Sequence, residues 1–556
     1  MNNPNMIEKT LGDYLRSVAI KYPDRTAVKY TGRDYKRTWK ELDEETDKIA
    51  KGFMALGIGK GDHVAIWATN VPEWILTLYA SAKIGAVLVT VNTSYKVYEA
   101  EYLLHQSDAK LLVLIDGFKD ADYISTINEL CPEMKSSDSI VINSIRLPFL
   151  KTIVYAGDKE HKGMVKWDTL TKLGESVSDE EYRNLSSSLN CHEIVNMQYT
   201  SGTTGFPKGV MLTHYNIINN GRVIGDGMAF TPNDRLCICV PFFHCFGLVL
   251  ALMASLTHAS EVVPIDAYRP KKVLDALQSE DCTAVHGVPT MFIAMLEHPD
   301  FPTYNIPHLR TGIMAGSPCP IKVMEDVVSK MHMRDIVIVY GQTESSPGCT
   351  MTTTSDSIEK RVSTVGRSFS GVETKIVNPE TGEPLPAGVP GEFCARGYNI
   401  MRGYYKMEEA TKQTIDKDGW LHTGDLAVVD EEGYYKITGR IKDMIIRGGE
   451  NIYPKEIEEF IYTLPKVKDV QVIGVPSVQY GEEVCAAVIL REGEVMTEDE
   501  VKNAVKANMA RHKVPSYVAF VDSFPMTASG KIQKFKMREW AIEKYKLNDA
   551  ANIETA

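Results

Sequence analysis

From Leu11 to about Gly439 the chain alternates short apolar runs with helical stretches, and no other feature restricts its fold as strongly. Asp62-His63-Val64-Ala65-Ile66-Trp67, Ala86-Val87-Leu88-Val89-Thr90, Leu111 to Ile115, the run ending at Ala315 and Ile336 to Tyr340 read as strands. Trp74 to Ala82 reads as a helix between two of them. Such alternation predicts α/β layers with largely parallel sheets. Residues 119–168 follow no clear pattern. The composition changes near Arg440. Beyond it come an acidic helix (Pro454 to Leu464), strands at Val467 to Val475 and Val484 to Leu490, an amphipathic helix (Thr497 to Ala510), a strand at Tyr517 to Val521 and a basic tail, Lys531 to Lys546. That is the size of an independent α+β domain. The expected organisation is a large N-terminal α/β domain of layered sheets and helices, 1–440, and a small C-terminal domain, 441–556.

The chain has 556 residues and a net charge of −12, with 44% apolar and 24% charged residues, close to an ordinary enzyme. This balance argues against a general nucleic-acid or anionic-membrane binder, so an anionic substrate would need local positive groups and backbone dipoles. The ten cysteines include no CxxC pair, and Cys237 and Cys239 are the two nearest one another. Neither a zinc ligand set nor a secreted disulfide framework emerges, which fits a reducing cytoplasm. The start, MNNPNMIEKT, lacks the basic and apolar regions of a signal peptide. Cys237 to Leu256 is almost uncharged and near the length of a membrane span. Pro241, His244 and Gly247 interrupt it, so a buried strand, loop and helix are expected there and no transmembrane segment.

The densest chemical signal is Thr200-Ser201-Gly202-Thr203-Thr204-Gly205-Phe206-Pro207-Lys208-Gly209, with four hydroxyl side chains, three glycines and a lysine. Glycines let backbone approach an anion closely; amides and hydroxyls can then donate to phosphate oxygens, with lysine as a mobile charge. It is not a Walker A loop, because Pro207 precedes the lysine and Gly209 follows it. Alone, such a cluster reads equally well as a surface turn.

Five further signals accompany it. Tyr340-Gly341-Gln342-Thr343-Glu344 places a carboxylate after a strand, where it suits Mg²⁺ beside a triphosphate. Trp420-Leu421-His422-Thr423-Gly424-Asp425 sets a carboxylate after a glycine turn, suited to ribose hydroxyls. Thr438-Gly439-Arg440 offers a guanidinium for the same sugar or its phosphate. Met314-Ala315-Gly316-Ser317-Pro318 has small residues against which a flat ring could lie. Pro525-Met526-Thr527-Ala528-Ser529-Gly530-Lys531 puts a lysine on a glycine loop in the small domain. Singly, each reads as a capping glutamate, a turn aspartate, a surface ion pair, a strand exit or an exposed lysine.

Together and in this order, from about residue 10 to 545, they resemble the adenylate-forming superfamily of acyl-CoA synthetases, luciferases and peptide-synthetase adenylation domains. Arg447-Gly448-Gly449-Glu450-Asn451-Ile452-Tyr453-Pro454 and Gly530-Lys531-Ile532-Gln533-Lys534-Phe535-Lys536 look most like the medium-chain fatty acyl-CoA synthetase branch. The resemblance implies that a carboxylate attacks the α-phosphate of ATP and that the thiol of coenzyme A then displaces AMP. It implies that Thr200 to Lys208 grip the β- and γ-phosphates and that Glu344, with Thr203, holds Mg²⁺. Tyr340 would stack near adenine opposite Gly316 and Ser317, with Gly341 and Thr343 also among the nucleotide-binding positions. Asp425 would bind the ribose, assisted by Arg440. Lys531 would bridge carboxylate and α-phosphate. Lys442 would be the hinge of a mobile small domain whose rotation withdraws Lys531 and brings Gly448 and Gly449 toward the pantetheine. His244, in Pro241-Phe242-Phe243-His244-Cys245-Phe246-Gly247, matches a gate beside the carboxylate pocket, where a lone histidine among aromatics would otherwise be structural.

The acyl pocket is read from Phe243 to Leu256, Val288 to Phe292 and Ile313 to Gly316, apolar stretches that each contain an adaptable methionine and no lysine or arginine. A medium-chain or branched aliphatic acid is expected, with aryl or short polar acids, or a carrier protein as acceptor, as alternatives. Arg222 and Asp226, on the helix after the phosphate loop, could still reach that pocket. A homodimer is an assembly the sequence permits.

Overall fold

In the computed structural model the described residues are 6–135, 139–200, 207–316, 319, 321–447, 450–477, 479–509, 511–527 and 532–548. Two mixed sheets dominate the first 374 residues. Among the described residues the larger has nine strands, in the order Arg367–Ser368, Gly348–Met351, Asp335–Gly341, Thr311–Met314, Ala284–His286, Arg235–Ile238, Glu261–Pro264, Thr26–Lys29 and Lys36–Thr38. Its interior is parallel. Antiparallel pairs close its two rims. The second has eight: Gly403–Tyr404, Lys208–Thr213, Ile194–Thr200, Val87–Thr90, His63–Trp67, Ala109–Leu114, Thr152–Tyr155 and Val165–Lys166. Its interior is parallel as well.

The expected elements are present. The apolar runs read as strands lie in the sheet interiors, and Val64, Ala65, Ile66 and Trp67 are fully buried. A strand buried on both faces needs this uninterrupted apolar character. The stretch from Cys237 to Leu256 is the end of a strand, then a loop, then a π-helical segment, Phe246–Met253, that runs into the helix Ala254–His258. No helix among the described residues is long and apolar enough to cross a membrane. Within 119–168 the structure adds the helix Tyr123–Leu130 and the strands Thr152–Tyr155, which pairs with Ala109–Leu114, and Val165–Lys166, which pairs with Thr152–Tyr155 in turn. Two- to four-residue strands of this kind carry no local pattern of their own.

The helices start where their caps allow. Thr38 and Glu41 form a reciprocal box before the helix Trp39–Ala55. Thr213 and Asn216 do the same before His214–Gly227. Such a box satisfies two orphan donors of a helix N-terminus. Between the first three helices lies a buried ionic knot. Lys83, 1% exposed at its side chain, bonds Asp43 and Asp47 at 2.6 Å each, and Arg16 reaches Asp47 at 2.7 Å. A buried ammonium needs this satisfaction. Gly12 makes room for it, since a Cβ there would come within 2.8 Å of the lysine Cγ.

The chain divides into two compact units, Met1–Thr374 with Ala395–Leu421, and Lys375–Cys394 with His422–Ala556. The junction expected at 440–441 falls after the strand Tyr435–Arg440, inside the second unit by this measure of compactness. In that unit the helix Pro454–Tyr462, the antiparallel pair Val467–Ser477 and Gly481–Leu490, the helix Glu498–Asn508 and the parallel strand Tyr517–Phe520 form the α+β arrangement read from the sequence. Ile457, Ile461, Val472, Val484 and Val501 fill its core.

His214 joins the helices Leu11–Lys21 and His214–Gly227 of the first unit: its Nδ1 accepts from the Leu11 amide at 2.9 Å. Burial pushes the imidazole down to about 3. The folded protein therefore prefers neutral His214, while the unfolded chain takes up a proton below its ordinary pKa of about 6.5. This contribution to stability is complete above that pH and is lost as pH falls toward 3, by up to ~1.4 kcal/mol per unit. Urea midpoints measured from pH 7.5 to 4.5 should fall less steeply for His214→Gln than for the wild type. An unchanged slope would contradict the assignment.

Candidate active site

The hydroxyl- and glycine-rich segment connects two antiparallel strands, Ile194–Thr200 and Lys208–Thr213, with Thr200 directly opposite Lys208. Ser201, Gly202, Thr203, Thr204, Gly205 and Phe206 lie outside the described residues. The base is held from several sides. The Tyr102 hydroxyl donates to the Pro207 carbonyl at 3.1 Å. Tyr199 donates to Gln106, and Gln106 in turn donates to the Tyr405 carbonyl at 2.9 Å. The Tyr405 amide donates to the Gly209 carbonyl at 2.8 Å. Both ends of the loop are thus fixed before any ligand arrives.

Two sequence-distant groups meet at this base. The Lys208 ammonium lies 4.8 Å from the ring centre of Tyr404. The Tyr404 hydroxyl donates to Glu344 Oε1 at 2.8 Å. Burial, then the Glu344 charge, raise the Tyr404 phenol, so it stays a donor. Glu344 sits in the turn Thr343–Ser345 just past the strand Asp335–Gly341, and its carbonyl accepts from the Met401 amide at 2.9 Å. Sequence reasoning missed Tyr404. Its only local signal is Gly403-Tyr404-Tyr405, a two-residue strand that pairs with Lys208–Thr213.

The turn carrying Glu344 demands glycine at 341. The residue has φ +157°, and a Cβ would lie 1.8 Å from the Pro347 carbonyl oxygen. Tyr340 is half-buried at the C-terminal end of its strand. The neighbouring parallel strand Thr311–Met314 ends alongside, with Met314 in register with Ile338. Gly316 follows at φ +90°. Gly316 and Tyr340 therefore share one edge of the sheet, where ligands of open α/β sheets bind. Ser317 lies outside the described residues.

His244 reaches the same edge. Asn70 anchors its loop by accepting from the Phe242 amide at 2.8 Å and donating to the Val240 carbonyl at 3.0 Å. His244 Nδ1 accepts from the Phe246 amide at 3.2 Å. The ring proton of the neutral imidazole therefore belongs on Nε2, which makes that nitrogen the donor. Cys245 Sγ stands 3.6 Å from His244 Nδ1 and 3.7 Å from Thr343 Oγ1, so the histidine turn abuts the Glu344 turn.

In the second unit, Asp425 and Arg440 are cross-strand neighbours. Arg440 Nε lies 2.8 Å from Asp425 Oδ1, and the aspartate is buried while the arginine is exposed. The Asp425 amide donates to Thr423 Oγ1 at 3.1 Å. Behind it Glu392, which the sequence did not single out, accepts from the Gly424 amide at 3.0 Å and from His422 Nδ1 at 2.8 Å. Gly424 takes φ +68° to make this turn. Glu392 thus fixes the backbone that aims Asp425. Lys442 follows in the turn Ile441–Asp443; desolvation and then Arg440 push its ammonium down, against Asp443 and Asp425. Gly448, Gly449 and Lys531 lie outside the described residues. Their flanks are tied: Arg447 is opposite Glu450, and Met526 is opposite Ile532.

The sequence model of the AMP-binding enzyme family matches residues 15–405, and that of the AMP-binding enzyme C-terminal domain matches 456–531. The chain is 52% identical to a putative acyl-CoA synthetase, YngI, of Bacillus subtilis (strain 168), over 98% of this chain and 99% of that one. It is 40% identical to the mitochondrial medium-chain acyl-CoA ligase ACSF2 of Bos taurus, over 96% of this chain and 88% of that one. Among solved structures, ATP-bound MatB from Rhodopseudomonas palustris superposes with a TM-score of 0.83 at 29% identity, covering 96% of this chain and 99% of that one.

Glu392→Leu should remove the acceptor of the half-buried Gly424 amide and cost about 1 kcal/mol, the net worth of one hydrogen bond. Hydrogen exchange should accelerate at residues 422–425 in this variant, and in Glu392→Gln by less. Equal exchange in all three proteins would mean that Glu392 does not hold this turn.

Proposed function

This chain belongs to the AMP-binding enzyme family as an acyl-CoA synthetase of the adenylate-forming superfamily, and we propose that it joins a medium-chain or branched aliphatic carboxylic acid to coenzyme A. It is an AMP-forming acid–thiol ligase, working by carboxylate adenylation and then thioesterification. The observation that best supports the reading is the meeting of Lys208, Tyr404 and Glu344 at the base of the glycine- and hydroxyl-rich loop. Support for the acid comes from the similarity to the medium-chain ligase ACSF2 and from the apolar wall segments without lysine or arginine.

The chemistry sets the roles. Carboxylate and triphosphate are both anions, and the pentacoordinate transition state concentrates negative charge further. A cation touching both reactants lowers that barrier and fixes their orientation. Lys531 takes this part in the proposal. A general base is unnecessary, since a carboxylic acid is already ionised at neutral pH. Thr200 to Lys208 hold the β- and γ-phosphates. Tyr340, Gly341 and Thr343, with Gly316 and Ser317, hold the base. Asp425 accepts from the ribose hydroxyls while Arg440 keeps its carboxylate in place. His244 donates from Nε2 toward the oxygen that gains charge at the acyl carbonyl.

Glu344 offers a carboxylate on a fixed turn, with Tyr404 donating to one oxygen; this hard oxygen donor is the type Mg²⁺ takes. When bound, Mg²⁺ would be held by Glu344 with Thr203 and would neutralise triphosphate charge. In the second half-reaction a thiol attacks the activated carbonyl, and Lys531 must leave. Residues 441–556 form the mobile domain of the proposal, Lys442 its hinge, and Gly448 and Gly449 its contribution to the pantetheine path. A reducing cytoplasm is the working place in the proposal. Homodimerisation belongs to the proposal too, as the assembly to test first.

Pyrophosphate release measured over linear, branched and aryl acids, with and without coenzyme A, tests the reading. Medium-chain or branched aliphatic acids should give the highest kcat/KM, and a wide preference for acetate or malonate would overturn the substrate assignment. Lys531→Ala should lower adenylation by about 10²- to 10³-fold, the scale of one lost electrostatic stabiliser. It should leave thiolysis of supplied acyl-AMP intact. Equal loss of both half-reactions would overturn the division of labour.

A further inference from the structure

The three segments read as acyl walls lie far apart in sequence, so something must fix them to one another. A single buried residue meets two of them through its side chain and leads into the other through its backbone. His286 ends the strand Ala284–His286 in the centre of the nine-stranded sheet and is fully buried. Its Nε2 lies 3.0 Å from the Leu250 carbonyl, within the π-helical segment Phe246–Met253 of the first wall. Its Nδ1 accepts from the Ile313 amide at 3.2 Å, in the third wall. Its backbone leads directly into Gly287 and Val288, the start of the second wall. The Gly287 amide in turn donates to the Ile313 carbonyl at 3.0 Å, and the Ala315 amide to the Gly287 carbonyl at 3.3 Å.

The chemistry of these contacts selects histidine. One ring nitrogen must accept from an amide while the other donates to a carbonyl, and a neutral imidazole with its proton on Nε2 does both. Burial holds the ring in that form, pushing it down to about 4. The ring also stacks on Phe246, at 5.9 Å between centres and 27° between planes. Phe246 is the residue whose amide donates to His244 Nδ1. One imidazole thus governs the seat of a π-helical wall and the residue beside the gating histidine. π-Helical turns are uncommon and concentrate at functional sites. An outside donor to the Leu250 carbonyl is a reason for this one to keep its register.

We infer that His286 is a positioning residue that sets the shape of the acyl pocket, and with it the chain length the enzyme prefers, by tying the π-helical wall to the strand Thr311–Met314. It makes no contact with the reacting atoms in this role. The inference rests on the acyl-ligase reading above and on those three segments being the pocket walls.

The test compares wild type, His286→Leu and His286→Gln by acid-dependent pyrophosphate release over a series of linear acids. His286→Leu removes both polar contacts, whereas glutamine can keep a donor and an acceptor. For His286→Leu, kcat/KM for the wild type's best acid should drop about 10- to 100-fold, the effect of a displaced wall at a reacting site. Its chain-length optimum should shift or flatten, and KM for ATP should stay within about twofold, since no nucleotide contact is disturbed. His286→Gln should restore the wild-type optimum. If His286→Leu does not fold, His286→Asn, too short to reach both partners at once, should show the shifted optimum instead. An unchanged optimum in the folded variant, or a rise in KM for ATP equal to that for the acid, overturns the inference. A wild type without acid-dependent pyrophosphate release fails at an earlier point, and takes the ligase reading down with the inference.

Discussion

The antiparallel pairing of Thr200 with Lys208 is the constraint on which the candidate site of the first unit depends. The role proposed for the segment asks for fixed loop ends, which glycine and small hydroxyl residues cannot supply by themselves. Rigidity comes from a sheet whose interior strands are buried and parallel, with the hairpin added toward one rim. The short strand Gly403–Tyr404 then extends the sheet past the hairpin and carries Tyr404 to Glu344. A two-residue strand has little intrinsic stability and holds its place because Lys208–Thr213 is already fixed.

Charge in this molecule is arranged locally. A chain with a net charge of −12 gives an anionic substrate no general attraction. Its cations instead sit where a second group aligns them. Lys208 lies over the Tyr404 ring, and Arg440 lies against buried Asp425. Lys442 is held next to Arg440 in partly desolvated surroundings that lower its pKa. Lys83 shows the contrasting use of a cation: it is enclosed by two aspartates and ties its own helix, Pro72–Lys83, to Trp39–Ala55, while Arg16 brings in Leu11–Lys21 through the same aspartates. In one setting the charge lies beside a ring, a single carboxylate or another cation, and in the other it is neutralised by two carboxylates within the fold.

Histidines divide in the same way, and their hydrogen bonds reveal it. His214 and His286 are fully enclosed, and burial holds them neutral. Each accepts a backbone amide on Nδ1. His244 does so as well, from Phe246, but keeps part of its surface exposed. The acceptor role of Nδ1 leaves Nε2 protonated in all three, so exposure rather than tautomer separates the candidate gate from the structural rings.

The layered α/β class, the strands and helices with the clearest apolar or amphipathic runs, and the segments read as candidates for chemistry were legible in the order of residues. Strands such as His63–Trp67 announce themselves because burial on both faces demands continuous apolar residues, and the 200–209 segment stands out because glycine, hydroxyl and lysine together are what the proposed phosphate binding would require. Asp425 and Arg440 stood out from their motifs, though only strand register made them neighbours. Tyr404, Glu392 and His286 escaped, since each acts through a partner 30 to 60 positions away in sequence: Glu344, His422 and Leu250. The strands within 119–168 escaped for a related reason, being too short to show a period and existing only because a sheet edge was ready to pair with them. Local composition reports what a residue can do; which other residue it does it with is decided by strand order and register, and those are properties of the folded chain alone.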